Sequence, residues 1–407
     1  MIKKIHKSQL KMGMYIHDLN CGWLGHNFWR TRFALQKESD LAKIMESAVG
    51  DLYIDTERGL DADAPSAAEA DAEVEERLHH ALAEVPGTPM RREFREEIAQ
   101  ALSIQNEANQ VVTAMLDDVR LGRQLEVERM EPAVARIADS LLRNPGALLS
   151  LNRIKQRDTY TFQHCVSVAT LLVSFARSVG MPPELLREAG LGGMVHDIGK
   201  MRVPDEVLNK PGKLTDAEFA IMKSHVQLGM DILVETPDVT QAMLDITGHH
   251  HERMDGTGYP YGLKGTQISD MGRMAAIVDV YDAITSNRVY HVGMEPALAL
   301  RKLFEWSEHH LDPELVQKFI QAVGIYPVGS LVRLQSRRLA VVIDQSASGL
   351  LHPIVRIVYD LKGRRPLPPK DLPLDGVVSS DVIEATEKPE LYGIDPFQVL
   401  TLDPARV

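Results

Sequence analysis

The spacing of apolar residues changes character along the chain, and each change predicts a different kind of element. Over residues 1 to about 60, short apolar runs broken by Gly and Asn, such as Met12-Gly13-Met14-Tyr15-Ile16 and Asp51-Leu52-Tyr53-Ile54-Asp55, predict short strands. From Arg91 to Leu121 the positions Phe94, Ile98, Ala101, Leu102, Val111, Met115 and Val119 recur at helical spacing with charges between them, which predicts an amphipathic helix. Helical signals continue to about Leu311. Pro182-Pro183 can open a helix that ends near His196-Asp197, and Thr215-Asp216-Ala217-Glu218 reads as the capping box of a helix carrying His225. Beyond Pro327 the runs Leu331 to Leu334, Ala340 to Asp344 and Ile354 to Tyr359 predict a short β-rich tail.

These patterns give a mainly α chain with five parts: a small β-rich N-terminal domain at 1–60, a linker at 61–89, a helical connector at 90–155, a helical bundle at 156–326 and a β-rich C-terminal extension at 327–407. The linker reading rests on charge. From Asp55 to Glu84 there are ten acidic and two basic side chains and almost no aromatic residue, a composition too polar to order itself by burial. The stripe on the 91–121 helix packs on its own domain in most such helices, and a homodimer or signalling partner docking there or on the N-terminal domain stands as the alternative.

A length of 407 residues is enough for two or three domains. The net charge of −12 argues against a DNA binder, because phosphate-backbone binding needs clustered Lys and Arg. An anionic substrate would need local cations, and Lys200, Arg202, Lys210, Lys213, Arg253, Lys264, Arg273 and Arg288 lie where one could be held. The longest apolar stretch, Val166 to Phe175, is too short to span a bilayer, and no apolar signal segment follows Met1 to Gln9. Cys21 and Cys165 are too few for a disulfide framework, so the expected location is cytoplasmic, with no membrane contact.

The chemistry concentrates in histidines. His164, the pair His196-Asp197, His225 and the run His249-His250-His251-Glu252 fall along the helical region, and His196 to His225 and His250 to Asp279 each span 29 residues, about a helix, a turn and part of the next helix. Any one of them alone reads best as a surface or capped core histidine. Together they read as a polynuclear metal site in a helix bundle, with imidazole and carboxylate ligands that suit Fe or Mn, and also Zn, Co or Ni. Asp197, beside a histidine at a helix end and with two oxygens, is the best bridging candidate; Lys200, one turn on, could neutralise charge on a phosphoryl oxygen. Gly256, Gly258, Tyr259 and Pro260 form a turn by composition, shaping a pocket wall next to the ligands. Glu252 is expected to accept a ring N–H from a ligating histidine.

Three stretches in order, His196-Asp197-Ile198-Gly199-Lys200, His250 to Pro260, and Asp279-Val280-Tyr281-Asp282 running on to Arg288, resemble the HD-GYP family, a branch of the HD-domain phosphohydrolases. The resemblance runs from about Gln156 to Gly324 and implies an HD-type helical bundle that hydrolyses cyclic di-GMP to the linear dinucleotide pGpG, with GMP as a further product of some members. It implies two cations per chain, one held by His164, His196, Asp197 and Asp279, the other by Asp197, His225, His250 and His251, with His249 a bystander. It also implies Asp197 and Lys200 in catalysis, Lys200, Gly258, Tyr259 and Pro260 at the substrate, Arg288 on a phosphate, and Asp282 either on the guanine or orienting a ligand. Two departures stand out: Tyr160 occupies the place where members with a third metal carry glutamate, and His291 stands where the family often has Arg or Lys. The alternatives are hydrolysis of another nucleotide, which the intact Gly256-to-Pro260 stretch disfavours, and a catalytically weak sensor of cyclic di-GMP, which retention of seven ligands disfavours.

Overall fold

The computed structural model describes residues 1–20, 32–47, 49–82, 92–151, 160–212, 214–286, 293–346 and 349–402, with 160 and 161 described by backbone alone. The N-terminal unit contains β1 (Ile2–His6), β2 (Tyr15–Asp18), β3 (Phe33–Ala34), α1 (Glu38–Glu46) and β4 (Asp51–Asp55), joined as one antiparallel sheet in the order β1-β4-β2-β3. Its small core is Ile5, Met14, Ile16, Leu35, Ile44, Leu52 and Ile54.

The acidic segment is not a plain linker. Residues Ala67–Leu82 form a helix, α2, on which Ala70, Val74, Leu78 and Leu82 are buried. Every fourth residue is apolar, so the charges share the other faces and do not oppose burial. Ser66 and Glu69 cap its start reciprocally, Glu69 Oε2 accepting from the Ser66 N–H at 2.9 Å and Ser66 Oγ from the Glu69 N–H at 3.3 Å. Net charge is blind to phase, which is why composition pointed the other way.

The helical body follows with α3 (Phe94–Arg120), α4 (Glu131–Arg143), α5 (Pro145–Leu151), α6 (Tyr160–Ser178), α7 (Pro183–Val195), α8 (Asp205–Leu208), α9 (Asp216–Lys223), α10 (His225–Val234), α11 (Gln241–His249), α12 (Asp270–Thr285), α13 (Pro296–Trp306) and α14 (Pro313–Val323). The stretch read as a connector is part of this body. Phe94, Ile98, Ala101, Met115 and Val119 of α3 share one core with α4, α5, α6 and α7, and of the apolar positions read in its stripe Leu102 is the exposed one, so the stripe packs on its own domain. The run Val166–Phe175 lies in α6, whose Val168, Leu171, Leu172 and Phe175 belong to one core and whose Val166, Ala169 and Val173 belong to the other. α12 is likewise buried along nearly its whole length, from Met271 to Ile284. A helix apolar all round sits at the centre of its domain, and these two central helices carry site residues.

The C-terminal part is a five-stranded antiparallel sheet of β5 (Leu331–Leu334), β6 (Arg338–Asp344), β7 (Ile354–Asp360), β8 (Arg365–Pro373) and β9 (Ile383–Glu387), in the order β8-β7-β6-β5-β9, followed by α15 (Pro396–Thr401). The proline-rich β8 is at an edge, where a missing N–H breaks no ladder. Buried Arg356 pairs with Asp371 and donates 2.8 Å hydrogen bonds to the carbonyls of Val399 and Leu402, pinning α15 to the sheet. Among the described residues no helix is long and apolar enough to cross a membrane.

If α2 is part of the packed body, Leu78→Ala should lower the stability of the full chain by roughly 2–5 kcal/mol, the usual cost of a buried Leu→Ala change, whereas Glu73→Ala should change it by less than about 0.5 kcal/mol. Urea unfolding of the two variants side by side checks this. Equal effects would restore the solvated linker.

Candidate metal centre

Backbone close approach brings the ligands together. α7 ends at Val195, His196 and Asp197 follow, and a 3-10 turn, Ile198–Arg202, continues the chain. A Cβ on Gly199 would stand 1.9 Å from the His225 carbonyl oxygen and 2.4 Å from the Gly229 nitrogen, so only glycine lets this turn lie against the start of α10. The capping box at Thr215 and Glu218 forms, but it begins α9, which ends at Lys223; His225 opens the next helix, α10. His250 and His251 directly follow α11, and α6 and α12 supply His164, Asp279 and Asp282.

The seven residues expected as ligands converge in the interior. His164, His196, Asp197, His225, His250 and Asp279 are buried, and the ring of His251 is nearly so. They form two groups, His164 with His196 and Asp279, and His225 with His250 and His251, in each of which ligand atoms lie within 4.8 Å of one another. Asp197 stands between them. Its Oδ2 is 3.4 Å from Nε2 of both His164 and His196, and its Oδ1 is 3.4 Å from Nε2 of His225 and 3.8 Å from that of His250.

The rings are held from behind. Nδ1 of His196, His225 and His250 faces the carbonyl three residues earlier, of Gly193, Met222 and Thr247, at 2.7–2.8 Å. A carbonyl only accepts, so Nδ1 carries the proton and Nε2 turns a bare lone pair inward. Nε2 of His225 and Nε2 of His250 then face each other at 3.5 Å. Two lone pairs so placed repel unless a cation lies near both. Burial first, and then the charges of Lys200 and His196, lower the pKa of His225 to about 4 against the pull of Asp197; burial and the neighbouring His196 and His225 lower that of His250 to about 3 against Asp279 and Asp197, and burial with His250 and His225 pushes His251 far down. His164 goes the other way: burial opposes its charge, but Asp197, Asp279 and Asp282 outweigh it and raise its pKa to about 10. A proton there occupies the place a metal cation would take.

The carboxylates complete the fit. Asp197 and Asp279 are held well below the usual range despite burial, chiefly by the Lys200 charge for Asp197 and by His164 for Asp279. Asp197 Oδ1 is buried without a hydrogen-bond partner. Buried negative charge with an orphaned oxygen, next to imidazoles presenting lone pairs, is a donor set for divalent cations of the imidazole-and-carboxylate class. Lys200 itself ion-pairs with Asp197 Oδ2, so the expected catalytic pair is in direct contact.

Other expectations come out differently. Glu252 does not meet a histidine ring: its carboxylate accepts the N–H of Tyr261 at 2.7 Å and of Leu263 at 3.0 Å, tying down the loop that carries Gly258 to Pro260. Asp282 is buried and accepts from His164 Nδ1 at 2.7 Å and from Ser167, so of its two expected roles it has the geometry of the orienting one. Tyr259 lies over His251, ring centroids 4.7 Å apart, while Pro260 is exposed. His249 turns away toward Ser269, 3.2 Å from its hydroxyl. Arg288, His291 and Lys213 lie outside the described residues, as does the side chain of Tyr160. Sequence reasoning missed Ser167, although its place three residues after His164 on a helix put it on the same face. Lys223, half-buried with its ammonium over the rings of Phe219 and Tyr259, was also missed.

Comparison with known proteins assigns residues 138–315 to the HD domain and residues 2–130 to a domain of unknown function, DUF3391. The chain is 43% identical over 393 residues to a cyclic di-GMP phosphodiesterase of Pseudomonas aeruginosa, covering 96% of this chain and 94% of that protein. A cyclic di-GMP phosphodiesterase of Vibrio cholerae is 36% identical over 189 residues, covering 43% of this chain and 38% of that protein. A 3'3'-cGAMP-specific phosphodiesterase of the same organism is 37% identical over 148 residues, covering 36% of this chain and 34% of that protein. With an HD domain laid across these histidines and a relative that matches from end to end, the chain belongs to the HD-GYP family of HD-domain phosphohydrolases.

Proposed function

We propose that this chain hydrolyses cyclic di-GMP, opening one phosphodiester bond to release the linear dinucleotide, with two divalent cations held on either side of Asp197. The observation that carries the reading is that Asp197 turns one oxygen to each histidine group. The choice of substrate is supported by the name of the Pseudomonas aeruginosa relative, which matches this chain almost throughout. One cation would be held by His164, His196, Asp279 and Asp197 Oδ2, the other by His225, His250, His251 and Asp197 Oδ1; Fe or Mn suit this mixture, and Zn, Co or Ni also do. When bound, such a pair would supply an activated water and charge stabilisation of the phosphoryl oxygens.

The chain's own residues do the rest. Lys200, part-exposed beside Asp197, offers a cation to a phosphoryl oxygen. Tyr259 roofs His251, and Gly258 seats this roof: a Cβ there would lie 2.5 Å from Glu252 Cα and from the Arg253 nitrogen. Asp282 is a positioning residue, acting through His164, and Arg288 is assigned to a substrate phosphate on the family resemblance. The second reading is a 3'3'-cGAMP hydrolase, which the Vibrio cholerae relative motivates. The two dinucleotides share the phosphodiester and differ in one base, so turnover of each by the same preparation, with products separated by chromatography, decides between them.

Asp197→Ala should abolish turnover and release metal, since both groups lose their shared ligand; normal turnover would end the bridging assignment. Asp282→Asn keeps the shape but removes the charge behind His164, and should cost about 10–100-fold in metal affinity or activity; elemental analysis beside turnover shows whether the loss runs through the metal. Gly258→Ala should displace the loop and raise KM several-fold while metal content stays constant. Because Tyr160 replaces the third-metal glutamate, anomalous scattering should find two cations at the histidine cluster and chromatography mainly pGpG; a third cation bound within that cluster would overturn that count.

A further inference from the structure

A second group of metal-ligating side chains lies away from the histidine cluster, where the N-terminal sheet meets the turn after α13. Ligand atoms of Asp51, Glu308 and His309 lie within 4.8 Å of one another. His6 lies outside that group but beside it: it stands opposite Asp51 across β1 and β4, and its ring centroid is 6.4 Å from that of His309, from where its side chain can turn in as a fourth donor. We infer that His6, Asp51, Glu308 and His309 form a binding site for one divalent first-row cation, of the Zn2+, Co2+ or Ni2+ kind, that clamps the N-terminal domain onto the helical body.

The donor set is two imidazoles and two carboxylates, which suits these cations and is too nitrogen-rich for Mg2+ or Ca2+. Two donors come from each side of the boundary. His6 and Asp51 end neighbouring strands, and Glu308 and His309 follow the last turn of α13. The His309 ring rests against Gly50, where a Cβ would stand 2.9 Å from its Cδ2, so it is already placed beside Asp51. His6 Nδ1 accepts the Ser8 N–H at 3.3 Å and lies 2.7 Å from Ser8 Oγ; when Nε2 binds a cation the proton moves to Nδ1, which gives up the first contact and donates to Ser8 Oγ. The competing partners are modest: Arg77 reaches Glu308 Oε1 at 2.8 Å on the exposed surface, and Lys4, 3.4 Å from Asp51 Oδ2, is drawn more closely to Glu305.

The remaining contacts across this boundary are mostly polar. Lys4 and Asn20 reach Glu305, and Lys302 donates to Asn20 Oδ1 at 2.7 Å. Such an interface is adjustable, and a cation tying both sides would set how firmly it closes. The same turn also touches the substrate loop: the His310 carbonyl accepts the Met254 N–H at 2.9 Å, and His310 Nε2 lies 3.8 Å from Asp255. Occupancy of the clamp therefore bears on the base of the loop that ends in Gly258 to Pro260.

The test uses full-length protein carrying its own catalytic metals, equilibrated with Zn2+ and freed of unbound ion. Elemental analysis should count one more ion per chain in wild type than in the double variant His6→Ala with His309→Ala, while His309→Cys, which keeps a zinc ligand, retains it. Without added Zn2+ the double variant should melt with wild type, since both histidines are exposed. Hydrogen exchange should slow on Zn2+ addition in β1, in β4 and in residues 305–310 of wild type alone. Equal ion counts in wild type and double variant would overturn the site, and protection on one side of the boundary only would overturn the clamp.

Discussion

Asp197 is the constraint on which the rest of the structure depends. It is a buried carboxylate with one oxygen lacking any hydrogen-bond partner, and it is surrounded by imidazoles whose protons have been drawn away to backbone carbonyls. An apolar bundle gains nothing from this arrangement for its own sake, because a buried carboxylate oxygen without a partner and opposed lone pairs both cost free energy. The helices around it are arranged to enforce it. α7 stops at Val195 so that His196 and Asp197 project at its end, and Gly199 lets the next turn press against α10 so that His225 arrives within reach.

The scaffold meets this demand by putting its most apolar helices at the centre. α6 and α12 are buried on nearly every face, and His164, Ser167, Asp279 and Asp282 are the polar residues on them that meet at the candidate site. Each is paired: His164 with three aspartates, Ser167 with Asp282. Binding at a rigid core, as opposed to a surface loop, fixes ligand spacing before any cation arrives. The loop from His251 to Leu263 borders the site, and Glu252 ties it down through two backbone N–H groups.

The outer domains are attached by different physics. The C-terminal sheet shares the apolar cores of the bundle through both of its faces, with Val332, Val342 and Val355 in one and Leu331, Leu339 and Val341 in the other. The N-terminal sheet has its own small core and meets α13 largely through charged and amide groups. A polar boundary over α13 can open and close at low cost, and an apolar one cannot.

By itself the sequence determined the class of fold, the family and the identities of the clustered residues, because these depend on local periodicity, on residue type and on motifs that survive in a linear string. It gave the helix from Pro183 to the His196-Asp197 pair, the strands at both ends and the departure at Tyr160. Tertiary structure decided the partners. Whether Asp282 faces a guanine or a histidine, and whether Glu252 meets a ring or two backbone N–H groups, depends on residues over a hundred positions away in one case and on a loop's path in the other. The same holds for α2, whose Val74, Leu78 and Leu82 among many acids form a helix because a surface on α13 and the bundle core is there to bury them. Burial and pairing belong to the folded chain as a whole, and a carboxylate's role follows from what stands opposite it.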